Sequence, residues 1–370
     1  MPPISVLIKP ASSQCNMACD YCFYCDEAQK RQVPSYGFMS DDTLKNVIRK
    51  TLLRAEGAAA YAFQGGEPTL AGLPFFEKVM AYQKQYNKKR LPISNALQTN
   101  GYALDETWCR FLKDHHFLVG LSVDGTEEIH NAHRRSKNGK GTYHRVLEAA
   151  SLMDQYRVDY NILTVVTPQI AEHIEEIYRL YKNRGWLYQQ YIPCLDPLEE
   201  GHGVSSLTPS QYGQFLIKLF RLWYKDFLNG CQPYIRTFEN YIAVAAGYLP
   251  ETCEHRGICG IQYVTEADGS VYPCDFYMLD AYRLGNFNED RLEDIDLKRE
   301  EIRFIERSRE LSPDCLGCPH FHLCRGGCRR NRDFHPESQS YTAHLCEGYR
   351  MFFKACSSQI LDIAASIRRR

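Results

Sequence analysis

The feature that most limits how this chain can fold is a group of three cysteines, Cys15, Cys19 and Cys22, near its start. They have the spacing C-x3-C-x2-C and follow a short apolar run over residues 5–9, which predicts a β-strand. Three thiolates at this spacing can hold one cubane iron–sulfur cluster and leave its fourth iron without a protein ligand. Because that iron could bind a small molecule, the loop predicts a chemical site. A zinc knuckle completed by Cys25 is the alternative.

The total of sixteen cysteines is consistent with metal binding if the protein stays in a reducing compartment. The amino-terminal sequence lacks a basic leader followed by a long apolar stretch, and no later apolar run reaches membrane-spanning length. We therefore expect a cytoplasmic protein with no membrane partner, in which thiols stay reduced and clustered cysteines hold metal. The formal net charge of -1 offers no basic field for a phosphate backbone, so we also expect no nucleic-acid partner.

The order of the predicted elements indicates an α/β protein. Strands are predicted over 5–9, 60–64, 96–100, 118–124, 159–166 and 187–192, with helices over 41–54, 74–89, 105–114, 143–156 and 170–183. Six strands are fewer than the eight of a complete barrel, so we expect a partial (βα)6 barrel over residues 1–230. From Cys253 onward, cysteine and glycine become dense. This predicts a small cysteine-rich domain over 231–370, stabilised by metal and ending in a helix.

That carboxyl-terminal region contains a second set of cysteines: Cys253, Cys259, Cys274, Cys315, Cys318, Cys324, Cys328 and Cys346. Between Cys259 and Cys274 the pattern is C-x9-G-x4-C, which predicts a hairpin-like turn that brings two thiolates together. Eight thiolates can satisfy two complete [4Fe-4S] clusters. Two structural zinc ions are the alternative, because the C-x2-C pair at 315–318 also suits zinc.

Polar and glycine-rich segments follow three of the predicted strands. The sequence Q-G-G-E-P at 64–68 ends the second strand, Q-T-N-G at 98–101 follows the third, and Ser122 and Asp124 end the fourth. Such barrels bind ligands at this edge, where glycines admit a close backbone approach and a carboxylate favours an ammonium. Arg134 is a candidate partner for a ligand carboxylate, with a solvated surface charge as the alternative.

Together these motifs resemble the radical S-adenosylmethionine (SAM) superfamily, which has the same three-cysteine loop after its first strand and a G-G-E-P signature after its second. The resemblance implies that the open iron chelates SAM and that an electron from the cluster cleaves SAM to a 5'-deoxyadenosyl radical. It implies SAM contacts from Tyr21, near the adenine, and from Gly65, Gly66, Glu67, Ser122, Asp124 and Arg134.

The carboxyl-terminal cysteines resemble the SPASM domain, an extension of radical SAM enzymes that modify peptides and proteins. By this resemblance, the auxiliary cluster nearer the active site is held by Cys253, Cys259, Cys274 and Cys328. The outer cluster is held by Cys315, Cys318, Cys324 and Cys346. The predicted cofactors are therefore SAM and three [4Fe-4S] clusters.

The opening P-A-S-S-Q-C-N-M-A-C-D-Y-C-F-Y and the Y-P-C-D at 272–275 are similar to the anaerobic sulfatase-maturating enzymes. Those enzymes oxidise a cysteine or serine in an unfolded sulfatase segment to Cα-formylglycine. The resemblance implies that the radical removes a hydrogen atom from the target Cβ and that Asp275 acts as the base. Tyr24 and Gln64 are expected to face the same cavity. It further implies a monomer served by an electron donor such as flavodoxin or ferredoxin.

Three alternatives stay open at this point. Asp275 could instead bond to the amides of a turn. A different SPASM enzyme, one that forms thioether or carbon–carbon crosslinks, would share every cysteine named above, although such enzymes usually have an added amino-terminal peptide-recognition domain. We expect none here, because the first predicted strand begins near residue 5. The third alternative is a zinc-stabilised binding protein without catalytic activity, and the G-G-E-P sequence argues against it.

Overall fold

In the computed structural model, residues 3–197, 203 and 205–368 are described, and they form two compact units. The first unit comprises Met1–Val123, His130–Asn161 and Ile261–Arg303, and the second comprises Asp124–Ile129, Ile162–Gly260 and Phe304–Arg370. Each unit is therefore assembled from three separate stretches of sequence. The sequence predicted two continuous domains that meet at residue 230. The compact units are not continuous in sequence, so they do not test that boundary, and it stays a prediction.

The described part of the chain alternates strands and helices through most of its length. The strands are β1 (Ile4–Ile8), β2 (Ala59–Phe63), β3 (Ile93–Thr99), β4 (Leu118–Ser122), β5 (Tyr160–Val166), β6 (Tyr188–Pro193), β7 (Tyr234–Ile235), β8 (Tyr263–Thr265), β9 (Ser270–Tyr272), β10 (Gly285–Asn286), β11 (Arg332–His335) and β12 (Ser340–Ala343). The helices are α1 (Phe23–Gln29), α2 (Asp41–Arg54), α3 (Leu73–Tyr86), α4 (Glu106–Asp114), α5 (Glu127–His133), α6 (Tyr143–Tyr156), α7 (Pro168–Glu172), α8 (Ile174–Asn183), α9 (Pro209–Leu228), α10 (Arg236–Ala246), α11 (Cys253–Arg256), α12 (Leu292–Glu301), α13 (Pro313–Leu316), α14 (Phe321–Cys324) and α15 (Cys346–Arg368).

All six predicted barrel strands are present as β1 to β6, each within a few residues of its predicted bounds. Helices α2 and α6 have the predicted ends, and the Ser40 hydroxyl caps α2 by accepting a hydrogen bond from the Thr43 backbone N–H at 3.1 Å. The helix predicted over 170–183 is instead two helices, α7 and α8, which are interrupted at His173. The α/β pattern read from the sequence is therefore confirmed.

In the first unit, β1, β2, β3 and β4 form adjacent parallel pairs. Along β1, buried Ile4, Val6 and Ile8 alternate with more exposed residues, which gives the strand one core face. On the other side of β1 lies β8, also parallel, followed by β9 and β10 in antiparallel order. The cysteine-rich region therefore adds three strands to the same sheet as the first barrel strands.

In the second unit, β5, β6 and β7 are parallel neighbours, and α9 packs against α15. The apolar stripe of α9, including Phe215, Leu219 and Trp223, is buried, as expected for a packing helix. The helix predicted at the carboxyl end is present as α15.

No helix in the described part of the chain is both long enough and apolar enough to cross a bilayer.

Helices α9 and α15 approach each other closely at two glycines. A Cβ atom built on Gly348 would lie 2.3 Å from the backbone oxygen of Pro209, and one built on Gly213 would lie 2.9 Å from the Gly348 Cα. Both obstacles are backbone atoms, which cannot rotate away as a flexible side chain can. The two helices can therefore approach this closely only because neither residue has a side chain.

We predict that Gly348→Ala destabilises the protein by about 1–3 kcal/mol, because forcing a methyl group into this crossing costs more than the gain in helix propensity. Thermal unfolding of the anaerobically purified protein would measure the change. The matched control is Ser358→Ala on the exposed side of α15, which should stay within about 0.5 kcal/mol of the parent. Equal unfolding midpoints for both variants would show that the crossing tolerates a side chain.

Candidate active site

The three-cysteine loop is held in place by the turn that follows β2. Gly66 has φ +54°, and a Cβ atom there would lie 2.1 Å from the backbone oxygen of Gln14 and 2.6 Å from that of Ser12. The Glu67 backbone N–H donates a hydrogen bond to the Gln14 carbonyl oxygen at 2.8 Å. A glycine is thus required at position 66 because the backbone of the cysteine loop packs directly against it. The sequence had suggested only that a ligand would approach the backbone there.

The Glu67 side chain joins the ends of β2 and β3 to this loop. Its carboxylate accepts hydrogen bonds from the Thr69 hydroxyl (2.7 Å) and the Thr99 hydroxyl (2.7 Å), and from the Asn100 backbone N–H (2.8 Å). The Asn100 side-chain amide in turn donates to the Asn16 side-chain oxygen at 2.7 Å and lies 3.7 Å from the Cys15 sulfur. Burial raises the pKa of Glu67, although these donors favour its ionised form. The carboxylate that the sequence assigned to a ligand ammonium is therefore surrounded by protein donors.

Of the predicted SAM contacts, Arg134 lies directly beside the cysteine loop, which itself contains Tyr21. Arg134 is buried, with Nη1 3.9 Å from the Cys19 sulfur and its guanidinium carbon 5.6 Å from the centre of the Tyr21 ring. Its alternative interpretation as a solvated surface charge is wrong. Ser122 ends β4 and is also buried. Asp124 belongs to the second unit, where its carboxylate accepts a hydrogen bond from the Val165 backbone N–H at 3.0 Å.

Asp275 lies directly after Cys274, at the start of a short 3-10 turn that follows β9. Its Oδ2 accepts a hydrogen bond from the Gln64 side-chain amide at 2.7 Å, and its Oδ1 is 2.5 Å from the Lys9 Nζ. The Lys9 side chain has no exposed surface. The contact between the ammonium and the carboxylate lacks hydrogen-bond directionality, so the two groups interact as an ion pair. The two oxygens of Asp275 are thus held from the ends of β1 and β2.

Lys9 is also in contact with an aromatic ring. Its Nζ is 3.8 Å from the centre of the Tyr24 ring, a cation–π arrangement in a buried environment. The Tyr24 hydroxyl donates a hydrogen bond to the Glu266 carboxylate, which is paired with Arg31 at 2.6 Å. Burial and the neighbouring Glu266 raise the pKa of Tyr24 well above its usual value, so its hydroxyl stays protonated. The face of the Tyr24 ring therefore lies against the Lys9 ammonium, and the Tyr24 hydroxyl is hydrogen-bonded to Glu266.

Lys9, Arg31 and Glu266 were not singled out from the sequence. The one available signal was Lys9 itself, a charged residue directly after an apolar parallel strand whose carboxyl end is expected to be buried. Lys9 pairs with Asp275 and Arg31 pairs with Glu266, and in each pair the two residues are more than 200 positions apart, so no local pattern could identify them.

None of the sixteen cysteines, all of which lie in the described part of the chain, forms a disulfide, and the predicted ligands influence one another electrostatically in three groups. The first group joins Cys15 with Cys19 and Cys22. The second joins Cys328 with Cys253 and Cys259, and the third joins Cys324 and Cys346 with Cys315 and Cys318. Cys274 lies in the first unit, between β9 and Asp275.

The chemistry of these thiols suits iron–sulfur clusters. Burial, reinforced by neighbouring thiols of the same group, raises the pKa of Cys15, Cys324 and Cys328 to about 12. Buried thiolates brought together in this way need a cationic centre to offset their repulsion. Cys25 also influences Cys22, but no group of three or more Cys, His, Asp or Glu side chains in residues 3–197, 203 and 205–368 is arranged to hold a single metal ion. A four-iron cubane is larger and accepts a wider set of sulfurs.

Comparison with known proteins agrees with this arrangement. Residues 10–181 match the radical SAM superfamily, and residues 259–319 match the SPASM iron–sulfur cluster-binding domain. These two matches define the chain as a radical SAM enzyme with an iron–sulfur extension, and they confirm the predicted cofactor types, SAM and iron–sulfur clusters.

Relatives that match over the full length identify the family within the radical SAM enzymes. The chain is 45% identical to the cysteine-type anaerobic sulfatase-maturating enzyme of Clostridium perfringens (strain 13 / Type A) over 370 residues, with both proteins covered completely. It is 32% identical to the serine-type enzyme of Klebsiella aerogenes, covering 99% of this chain and 86% of that protein. The structure of native anSMEcpe with bound AdoMet and Cp18Cys peptide is 44% identical, with a TM-score of 0.93 over 99% of this chain and 100% of the other. The chain belongs to the anaerobic sulfatase-maturating enzyme family, and the predicted fold class is confirmed.

The ion pair between Lys9 and Asp275 can be tested by a double-mutant cycle. We predict that Lys9→Met destabilises the protein by about 3–5 kcal/mol, because a buried carboxylate loses its compensating charge. Adding Asp275→Asn to that variant should recover a large part of the loss, since neither charge is then left unpaired. Urea denaturation under anaerobic conditions measures each variant.

The matched control for this cycle is Lys30→Met, which breaks the partly exposed ion pair with Asp26 on α1. We expect a change below about 1 kcal/mol there. Strictly additive effects of Lys9→Met and Asp275→Asn would mean that the two charges do not interact.

Proposed function

We propose that this chain oxidises a cysteine side chain in an unfolded sulfatase segment to Cα-formylglycine. The observation that supports this most directly is the full-length identity to a cysteine-type anaerobic sulfatase-maturating enzyme, 45% against 32% for a serine-type relative. Within the structure, the Y-P-C-D sequence places Asp275 between Lys9 and Gln64, at the same edge of the sheet as the three-cysteine loop. Serine is the second target in this proposal.

The proposed cofactor sites are those that the family resemblance implies, and the geometry described above supports them. Cys15, Cys19 and Cys22 would hold the catalytic cluster, with Arg134 and Tyr21 beside it for the carboxylate and adenine of SAM. When bound, the cluster and SAM would supply a 5'-deoxyadenosyl radical that removes a hydrogen atom from the substrate Cβ. Gly65, Gly66 and Glu67 would contribute chiefly by holding the cysteine loop in place, because the Glu67 carboxylate is bonded to protein donors.

Asp275 would accept the substrate thiol proton. Because Lys9 and Gln64 fix its two oxygens from different strands, its remaining lone pairs have a defined direction toward a bound side chain. The cysteine would lose one hydrogen atom to the radical, one proton to Asp275 and one electron, which an iron–sulfur cluster would accept, and would become a thioaldehyde. Hydrolysis then gives the aldehyde and hydrogen sulfide.

For the auxiliary clusters we propose the two ligand sets implied by the SPASM resemblance. The electrostatic groups support seven of the eight assignments, with Cys253, Cys259 and Cys328 in one and Cys315, Cys318, Cys324 and Cys346 in the other. Cys274 completes the first set by resemblance. The protein is further proposed to act as a cytoplasmic monomer that receives electrons from a flavodoxin or ferredoxin.

The function can be tested by anaerobic incubation with SAM, dithionite and a sulfatase-motif peptide, followed by mass spectrometry for the aldehyde. We expect the cysteine peptide to be oxidised, and faster than its serine counterpart. The Cys15→Ala/Cys19→Ala/Cys22→Ala variant should lose SAM cleavage and about one third of its iron, because the other cysteine groups are separate. A crosslinked peptide in place of an aldehyde would refute the proposal, and SAM cleavage by the triple variant would refute the cluster assignment.

A second prediction concerns the proposed base. Asp275→Asn keeps the size and polarity of the side chain but cannot accept a proton as a carboxylate does, so peptide oxidation should fall by roughly a hundredfold or more. SAM cleavage without peptide should stay near the parent rate. Asp280→Asn is the matched control, an exposed residue five positions along whose carboxylate accepts a hydrogen bond from the Gln32 backbone N–H. Formylglycine formation by Asp275→Asn at the parent rate would leave Asp275 with only a structural role, as the partner of Lys9 and Gln64.

A further inference from the structure

The segment after α5 lies against the three-cysteine loop. Ser136 pairs with Met17 in an antiparallel bridge, and the Ala18 backbone N–H donates a hydrogen bond to the Arg135 carbonyl oxygen at 2.8 Å. We call residues 135–140 the cationic arm. Ala18 is exposed and directly precedes Cys19, so the arm borders an exposed part of the three-cysteine loop.

The cationic arm presents three exposed positive charges, Arg135, Lys137 and Lys140. None of the three forms an ion pair with any residue in the part of the chain that the structure describes. The exposed acid of the cysteine loop, Asp20, is already bound by the His133 ring nitrogen at 3.0 Å. The arm therefore forms a locally uncompensated positive patch on a protein whose formal net charge is -1.

The lysines of the arm do not maintain its conformation. The turn is closed by the Ser136 N–H to the Lys140 carbonyl oxygen (2.9 Å), the Gly139 N–H to the Ser136 carbonyl oxygen (2.8 Å), and the Lys140 N–H to the Ser136 hydroxyl (3.2 Å). These bonds involve the backbone and one serine hydroxyl. The charges on the Lys137 and Lys140 side chains are thus available for an external partner.

We propose that the cationic arm is the docking surface for a small acidic electron-transfer protein. The inference rests on the proposed function, in which one electron must pass from a reduced donor to the site at Cys15, Cys19 and Cys22 for each SAM cleavage. Electron tunnelling slows steeply with distance, so a donor must dock close to that loop. Uncompensated charge at a docking surface attracts a partner of opposite charge and speeds its encounter.

Another basic surface on the chain provides a comparison. Lys84, Lys88 and Arg90, at and after the end of α3, are also exposed. These residues lie before the amino-terminal end of β3, whereas the three-cysteine loop follows the carboxyl end of β1. Strands β1, β2 and β3 are parallel, so the two groups are at opposite edges of the sheet. These two lysines and one arginine therefore match the charges of the arm but not its position.

The test uses Lys137→Glu/Lys140→Glu, with Lys84→Glu/Lys88→Glu as a control of equal charge change. Binding to a flavodoxin and to a [4Fe-4S] ferredoxin is measured by calorimetry at about 50 mM and about 500 mM salt. Peptide oxidation is measured with each reduced protein and, separately, with dithionite. We expect the arm variant to bind at least one of the two carriers about tenfold or more weakly at low salt, to lose most of that difference at high salt, and to oxidise peptide normally with dithionite.

Equal losses in the arm variant and the control, or no loss in either, would overturn the docking proposal. A loss confined to one of the two carriers supports it and identifies the type of donor. Failure of the parent protein to oxidise peptide with dithionite would refute the proposed function, whereas the binding measurement would still test the docking surface.

Discussion

The structure around the proposed active site depends on one buried ion pair. An ammonium without exposed surface is costly unless an anion compensates it, and Lys9 meets that requirement through Asp275. Because Lys9 follows β1 and Asp275 follows β9, the pair fixes the carboxyl-terminal strands β8 to β10 beside the first barrel strand. The Tyr24 ring lies against the same ammonium. The side chain proposed to accept a proton is thus also one that stabilises the fold.

Close backbone packing sets the position of the cysteine loop. Gly66 lets the loop approach the end of β2, and Glu67 then joins that turn to Thr99 and Asn100 at the end of β3. Asn100 reaches back to Asn16, beside Cys15. Two strand ends and the cysteine loop are therefore coupled through a single buried carboxylate. The G-G-E-P sequence is accordingly a structural support for the three-cysteine loop.

The cysteines impose a different constraint. Burial and mutual repulsion disfavour their thiolate forms in the absence of metal, so binding of iron and release of protons are linked to the stability of each group. Two of the groups lie in the second unit, where α9 and α15 provide an apolar core of their own. Apolar packing therefore stabilises this region in addition to the proposed clusters, whereas its composition alone suggested that metal would dominate.

Spacing and periodicity within a few residues were enough to predict the six barrel strands, the three-cysteine loop, the strand-end motifs and the second set of cysteines. The folded chain was needed to show that Lys9 pairs with Asp275, that Glu266 binds both Tyr24 and Arg31, and that β8 lies beside β1. These contacts join residues more than 200 positions apart. A charged side chain acquires such a partner only when the chain has folded, because the residues next to it in sequence do not specify which distant residue it will meet.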